Sequence, residues 1–287
     1  MVSSIPLKEE IITGEQYSMV GILTYGASTI KKPAIVIFNA GLIHKIGPNR
    51  MHVKLARKLA AAGYNVFRFD YGGQGDSIAH SGQAHGEGLY VTKTLDLLAK
   101  KTGFNEFVLV GICSGAEDAY TTALQDDRIK GIVMVNGTGL DIHSIKQLYP
   151  DAAKQIQLRY YKKSLLKADR WLKVLRGKSK ALTLGKFNLL FRRLFRKRQP
   201  ANKDRHAEKR PVPFEVLKDR NVALLLVLAE GSTAFDLVQL AYNKNDLQGK
   251  EYVIMKNVDH TITPVWAQNA LFDRILQWCN SRFNGND

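Results

Sequence analysis

The stretch that decides the fold is FVLVGICSGAEDAY, residues 107–120. It reads as a strand, a sharp glycine-flanked turn and a helix. Two candidate nucleophiles, Cys113 and Ser114, sit side by side in the turn. A nucleophile on such a bend needs small residues two positions before and two after it, because the backbone doubles back on itself. Centred on Cys113, those positions are Gly111 and Gly115; centred on Ser114, they are Ile112 and Ala116. The spacing selects Cys113. Its thiol is expected to project above the carboxyl edge of the sheet, where open parallel sheets bind ligands. The helix N-terminus behind it favours negative charge on sulfur.

On either side the same alternation repeats. SMVGILTY (18–25) reads as an early strand paired with residues near 7–12, and PAIVIFNAG (33–41) as a buried strand ending in a glycine turn. A helix is expected over 49–64, a strand and Gly-rich loop over 65–77, a helix over 88–103 and a strand over 130–137. The rhythm breaks near 138 and returns with strands at 221–230 and 251–260 and a closing helix over 266–283. Short apolar strands alternating with amphipathic helices predict an α/β fold with a mostly parallel central sheet flanked by helices. Residues 1–137 and 221–287 are assigned to one core and 138–220 to a basic helical cap inserted into it. A chain of 287 residues, 45% hydrophobic, is long enough for this arrangement.

The formal charge of +16 is concentrated in that insertion. Residues 151–210 hold 20 Lys/Arg and 4 Asp/Glu, which leaves 22 of each sign elsewhere. In KFNLLFRRLFRKR (186–198), Phe187, Leu190, Phe191, Leu194 and Phe195 follow helical spacing with arginines on the other faces. Leu165, Trp171, Leu172 and Leu175 form a second stripe. Packing on the core as a lid is the simplest use of both stripes, and membrane contact is the alternative. The charge suits an acidic carrier protein, a CoA-bound acyl group or an anionic membrane surface. Nucleic acid is disfavoured, since no zinc-finger, KH or RRM signature accompanies the charge. No apolar run is long enough to span a membrane, and MVSSIPLKEE carries no secretory pattern. Two cysteines suit a reducing cytoplasm, with peripheral membrane association open. No histidine pair has metal-ligand spacing, and no metal or cofactor is expected.

A nucleophilic cysteine needs a base. His260 follows the last strand by a short loop, at the same sheet edge as Cys113. His44, just after the 34–39 strand, is a pocket-lining candidate, and His52, His80, His85, His143 and His206 have weaker claims. A third residue should orient the imidazole from the end of the preceding strand. There AEGSTAFD (229–236) offers Glu230, with Asp236 as the alternative. The backbone N–H of Ser114 and that of Gly41 or Leu42 are the expected oxyanion donors.

Together GICSG, FNAG, FRFDYGGQGDS and the late Asp259–His260 resemble the α/β-hydrolase superfamily across nearly the whole chain. The GICSGA turn and basic cap are similar to a branch of bacterial hydrolases associated with exosortase and exopolysaccharide systems, in which a cysteine at the elbow is usual. The resemblance implies an α/β-hydrolase fold, Cys113 as nucleophile and His260 as base. It also implies a structural loop built from Arg68, Asp70, Gly73, Gly75, Asp76 and Ser77. Two positions depart from the pattern. Asn39 stands where the family has a histidine and becomes a substrate-binding candidate. Gly231 stands where the branch has an aspartate. The implied chemistry is acyl transfer on an ester or thioester through an S-acyl enzyme. Transfer or cyclisation onto an alcohol or amine is one alternative, and a non-catalytic binding module is another.

Overall fold

The computed structural model describes residues 7–15, 18–28, 32–79, 88–139, 213–242 and 251–284. The chain divides into two units, Met1–Leu148 with Val212–Asp287 and Tyr149–Pro211. The amphipathic stripes of 158–178 and 186–198, and His80, His85, His143 and His206, lie outside the described residues.

An eight-stranded sheet runs in the order β1-β2-β4-β3-β5-β6-β7-β8. Its strands are β1 Glu9–Thr13, β2 Val20–Thr24, β3 Ala34–Ile37, β4 Val66–Asp70, β5 Phe107–Ile112, β6 Ile129–Val135, β7 Ala223–Ala229 and β8 Glu251–Met255. The first two strands pair antiparallel with each other, and β2 pairs antiparallel with β4; every other pairing is parallel. The expected pairing of 18–25 with residues near 7–12 is present, with Ile11 opposite Ile22. AIVI of β3 and FVLVGI of β5 are buried at every position, as central parallel strands covered on both faces must be. At the sheet edge, β8 alternates, with Tyr252 and Ile254 outward.

The described helices are α1 Met51–Ala61, α2 Gly88–Thr102, α3 Ser114–Gln125, α4 Pro213–Asp219, α5 Thr233–Ala241 and α6 Val265–Phe283. Leu55 and Leu59 of α1, with Leu271, Ile275 and Trp278 of α6, bury against Ile35, Ile37, Val108, Val110 and Val133. Burying a side chain of this size contributes about 1.5–3 kcal/mol. Leu109 alternates with Val108 and Val110, so it faces the opposite side. Phe214 of α4 stacks on Tyr242 and meets Tyr120 of α3 edge-on. Among the described residues, no helix is long and apolar enough to cross a membrane.

His52 on α1 is 2% exposed, and its Nδ1 has no hydrogen-bond partner. Burial pulls its pKa from 6.5 down to about 4, with the Arg68 charge adding to the effect. The unfolded chain therefore binds the proton more readily between those two values. Stability should fall as pH drops from 6.5 towards 4, by about 3 kcal/mol for this group. Urea midpoints across that window should show the slope in the wild type and a shallower one in His52→Gln. Equal slopes would assign the acid sensitivity elsewhere.

Candidate functional site

Cys113 sits between the last residue of β5 and the first of α3, at φ 56° and ψ −121°. A non-glycine residue at positive φ is strained by about 1–3 kcal/mol and persists only where its surroundings over-determine it. Those surroundings are specific. A Cβ on Gly111 would lie 2.0 Å from the Gly115 carbonyl oxygen, and one on Gly115 would lie 2.4 Å from that of Asn39. Both flanking glycines are therefore sterically required. The Cys113 amide donates to Val135 O at 2.9 Å, and its carbonyl accepts from Ala116 N at 3.0 Å. The side chain is partly exposed, unlike the buried Cys279.

The backbone of His260 is tied to the end of the strand that holds this turn. Asn136, one residue past the Val135 carbonyl that holds Cys113, donates from Nδ2 to His260 O at 2.7 Å. Its Oδ1 accepts from Ala229 N at 2.7 Å, and its amide donates to Val227 O at 2.8 Å. One buried asparagine at φ 54° thus joins the ends of β6 and β7 to the histidine loop. Sequence reasoning missed it. The only signal was an asparagine at the strand exit in VNG, a residue type that tolerates positive φ.

The imidazole itself is half-buried. Burial holds its pKa below the ordinary value, and the adjacent Asp259 carboxylate opposes that shift. Asp259 is occupied by Thr261 N and Thr263 N, both at 3.0 Å. Nδ1 of His260 hydrogen-bonds Ser232 Oγ at 2.8 Å. Ser232 therefore stands where Glu230 or Asp236 was expected. Glu230 is exposed, and its Oε2 accepts from Asn257 N at 3.2 Å. Asp236 lies in the first turn of α5. Position 231 has no room for a side chain, since a Cβ there would come 2.7 Å from Val258 O.

On the opposite side of the elbow, Gly41 N donates to Ser114 Oγ at 2.7 Å, and Leu42 is 79% exposed. The loop carrying them is anchored by Asp70, which is fully buried. One Asp70 oxygen accepts from Lys45 N at 2.5 Å and Asn39 Nδ2 at 3.3 Å; the other accepts from Lys45 Nζ at 2.7 Å and Asp76 N at 3.0 Å. Asn39, 1% exposed, is thus bound into the framework. His44 Nε2 lies 3.4 Å from both Asp70 and Asp76. Donor atoms of His44, Asp70 and Asp76 fall within 4.8 Å of one another. The Lys45 ammonium, 3% exposed, already pairs with both carboxylates and holds Asp76 below its ordinary pKa. A protein cation thus occupies the place a metal would take. Ser77 completes the loop, donating to Asp70 O and accepting from Val20 N, both at 2.8 Å. Behind the elbow, Glu117 of α3 accepts from Thr138 N at 2.7 Å and Gly139 N at 3.0 Å; burial nonetheless pushes its pKa up.

A family model described as the alpha/beta hydrolase fold matches residues 34–262. Similar solved structures include an esterase from Pyrococcus furiosus, 15% identical, covering 98% of this chain and 92% of that one with a TM-score of 0.58. An alpha-beta serine hydrolase homologue from Coxiella burnetii is 12% identical, covering 94% and 96%, with a TM-score of 0.54. Dienelactone hydrolase from Anabaena variabilis is 12% identical, covering 97% and 98%, with a TM-score of 0.54. At these identities the likeness is one of fold. No curated protein matches the chain.

The two thiols should differ sharply. Burial pushes Cys279 up to about 12, while Cys113 is partly exposed. Iodoacetamide near neutral pH should alkylate Cys113 in the native protein and reach Cys279 only after denaturation. Peptide mass mapping reads the order, and labelling of Cys279 first would contradict this geometry.

Proposed function

Because the chain belongs to the alpha/beta hydrolase family, we propose that it is an acyl-transfer hydrolase acting on an ester or thioester, with Cys113 as nucleophile and His260 as proton carrier. The observation that carries this reading is the strained bend at Cys113, whose amide holds the end of β6 while the residue just after β6, Asn136, holds the His260 loop. The esterase and the dienelactone hydrolase among the structural neighbours suit the same class of carbonyl chemistry.

His260 takes the thiol proton as the sulfur attacks the carbonyl carbon. Collapse of the tetrahedral adduct breaks the bond to the leaving group, which receives that proton. Water then attacks the S-acyl enzyme, giving its proton to His260. Release of the carboxylic acid returns that proton to the sulfur. Ser114 N–H, immediately after the nucleophile, and Gly41 N–H or Leu42 N–H are the donors assigned to the oxyanion. An S-acyl enzyme is itself a thioester, so an alcohol or amine can replace water, making this a transferase. The excess of positive charge over 151–210 suits a carrier-bound or CoA-bound acyl donor, whose phosphates match arginine forks. The GICSGA turn fits the exosortase- and exopolysaccharide-associated branch.

Incubation with short p-nitrophenyl esters and acyl thioesters should add the acyl mass to the intact protein, on Cys113. Cys113→Ala should lose the adduct and at least about 10³-fold of the rate, whereas Ser114→Ala should still form the adduct. Equal turnover by Cys113→Ala and wild type would overturn the assignment.

A further inference from the structure

Ser232 is buried, 2% exposed, at the N-cap of α5. Its Oγ accepts from Ala234 N at 3.1 Å and meets His260 Nδ1 at 2.8 Å. The turn that holds it is pinned on three sides, with Glu230 N on Met255 O, Gly231 N on Val258 O and Ser232 N on Ala229 O, at 2.9–3.0 Å. We propose that Ser232 is the positioning residue of the Cys113–His260 pair, orienting the ring through an uncharged hydrogen bond in the place where an acid would supply a charged one. This rests on the function proposed above.

A hydroxyl has one proton and two acceptor lone pairs. The cap takes one lone pair of Ser232. On this proposal the other accepts the Nδ1 proton of His260, the tautomer that leaves Nε2 unprotonated and able to receive a proton from sulfur. The ring orientation of an acid-containing triad is therefore kept, and the stabilisation of imidazolium is lost. The charged groups on the ring's own loop and on the elements joined to it are Asp259 beside it, Glu230 at the β7 exit, Lys256 after β8 and Asp236 on α5. Asp259 favours the charged ring, and burial outweighs it. Burial thus biases the resting imidazole towards its neutral form, the form that can accept a proton.

Nitrogen-15 spectra of the imidazoles report tautomer and titration without substrate, so this test stands even if the acyl chemistry fails. In the wild type, His260 should carry its proton on Nδ1. Ser232→Asp and Ser232→Asn both retain a good helix cap, and only the first adds charge. Ser232→Asp should raise the His260 pKa by about 1–2, and Ser232→Asn should not. Ser232→Ala should mix the tautomers, and Ser232→Thr should restore the single form. With an ester substrate, the acid limb of the kcat/KM profile should move up with the titration in Ser232→Asp. An unshifted His260 in Ser232→Asp, or an unchanged tautomer in Ser232→Ala, would overturn the proposal while leaving a Cys113 adduct intact.

Discussion

Gly115's carbonyl oxygen lies where a Cβ on Gly111 would begin, and everything at the site depends on that contact. With no side chain there, the chain turns back within four residues and holds Cys113 in a conformation that few other residues adopt. The surrounding bonds compensate for the strain: β6 takes the Cys113 amide, and α3 starts on its carbonyl. A side chain at either glycine would push the bend open and displace the thiol. The same closeness sets Asn39 O against Gly115, so the bend also fixes the start of the Gly41 loop.

Two polar clips extend this rigidity across the carboxyl edge of the sheet. Asn136 joins the exits of β6 and β7 to the backbone of His260. Asp70 and Lys45 join the exit of β4 to the loop beyond β3. Both are buried, and a buried polar group left unpartnered costs about 1–3 kcal/mol. The loops carrying His260 and Gly41 are therefore held by the same interactions that stabilise the sheet edge. That is how a site on loops acquires the precision of one on strands.

The sheet was legible because its strands are short, apolar and spaced by helices. β3 and β5 read as buried runs, and the structure buries them at every position. The bend was legible because its requirement is local: glycines two residues either side of Cys113. The partners of His260 were not, because they are set by contacts between loops distant in sequence. Reading along 229–236 favoured the acids, Glu230 and Asp236, since chemistry suggests a charge. The backbone turn instead points Ser232 inward and sends Glu230 to Asn257. Lys45 and Asn136 were missed for the same reason. Nothing in their immediate neighbours says that a buried carboxylate lies 25 residues downstream of the one, or an imidazole's backbone 124 downstream of the other.

The hydrogen bond from Gly41 N to Ser114 Oγ bears on selectivity. In the resting protein that amide already has an acceptor of ordinary strength. On the proposed reading, an arriving neutral carbonyl merely swaps one acceptor for another, so the amide lends little to holding the substrate. A tetrahedral oxyanion is a stronger acceptor by roughly twofold, and it alone gains from the exchange. An internal competitor of this kind shifts the reward from the ground state to the transition state, which is where binding energy raises turnover.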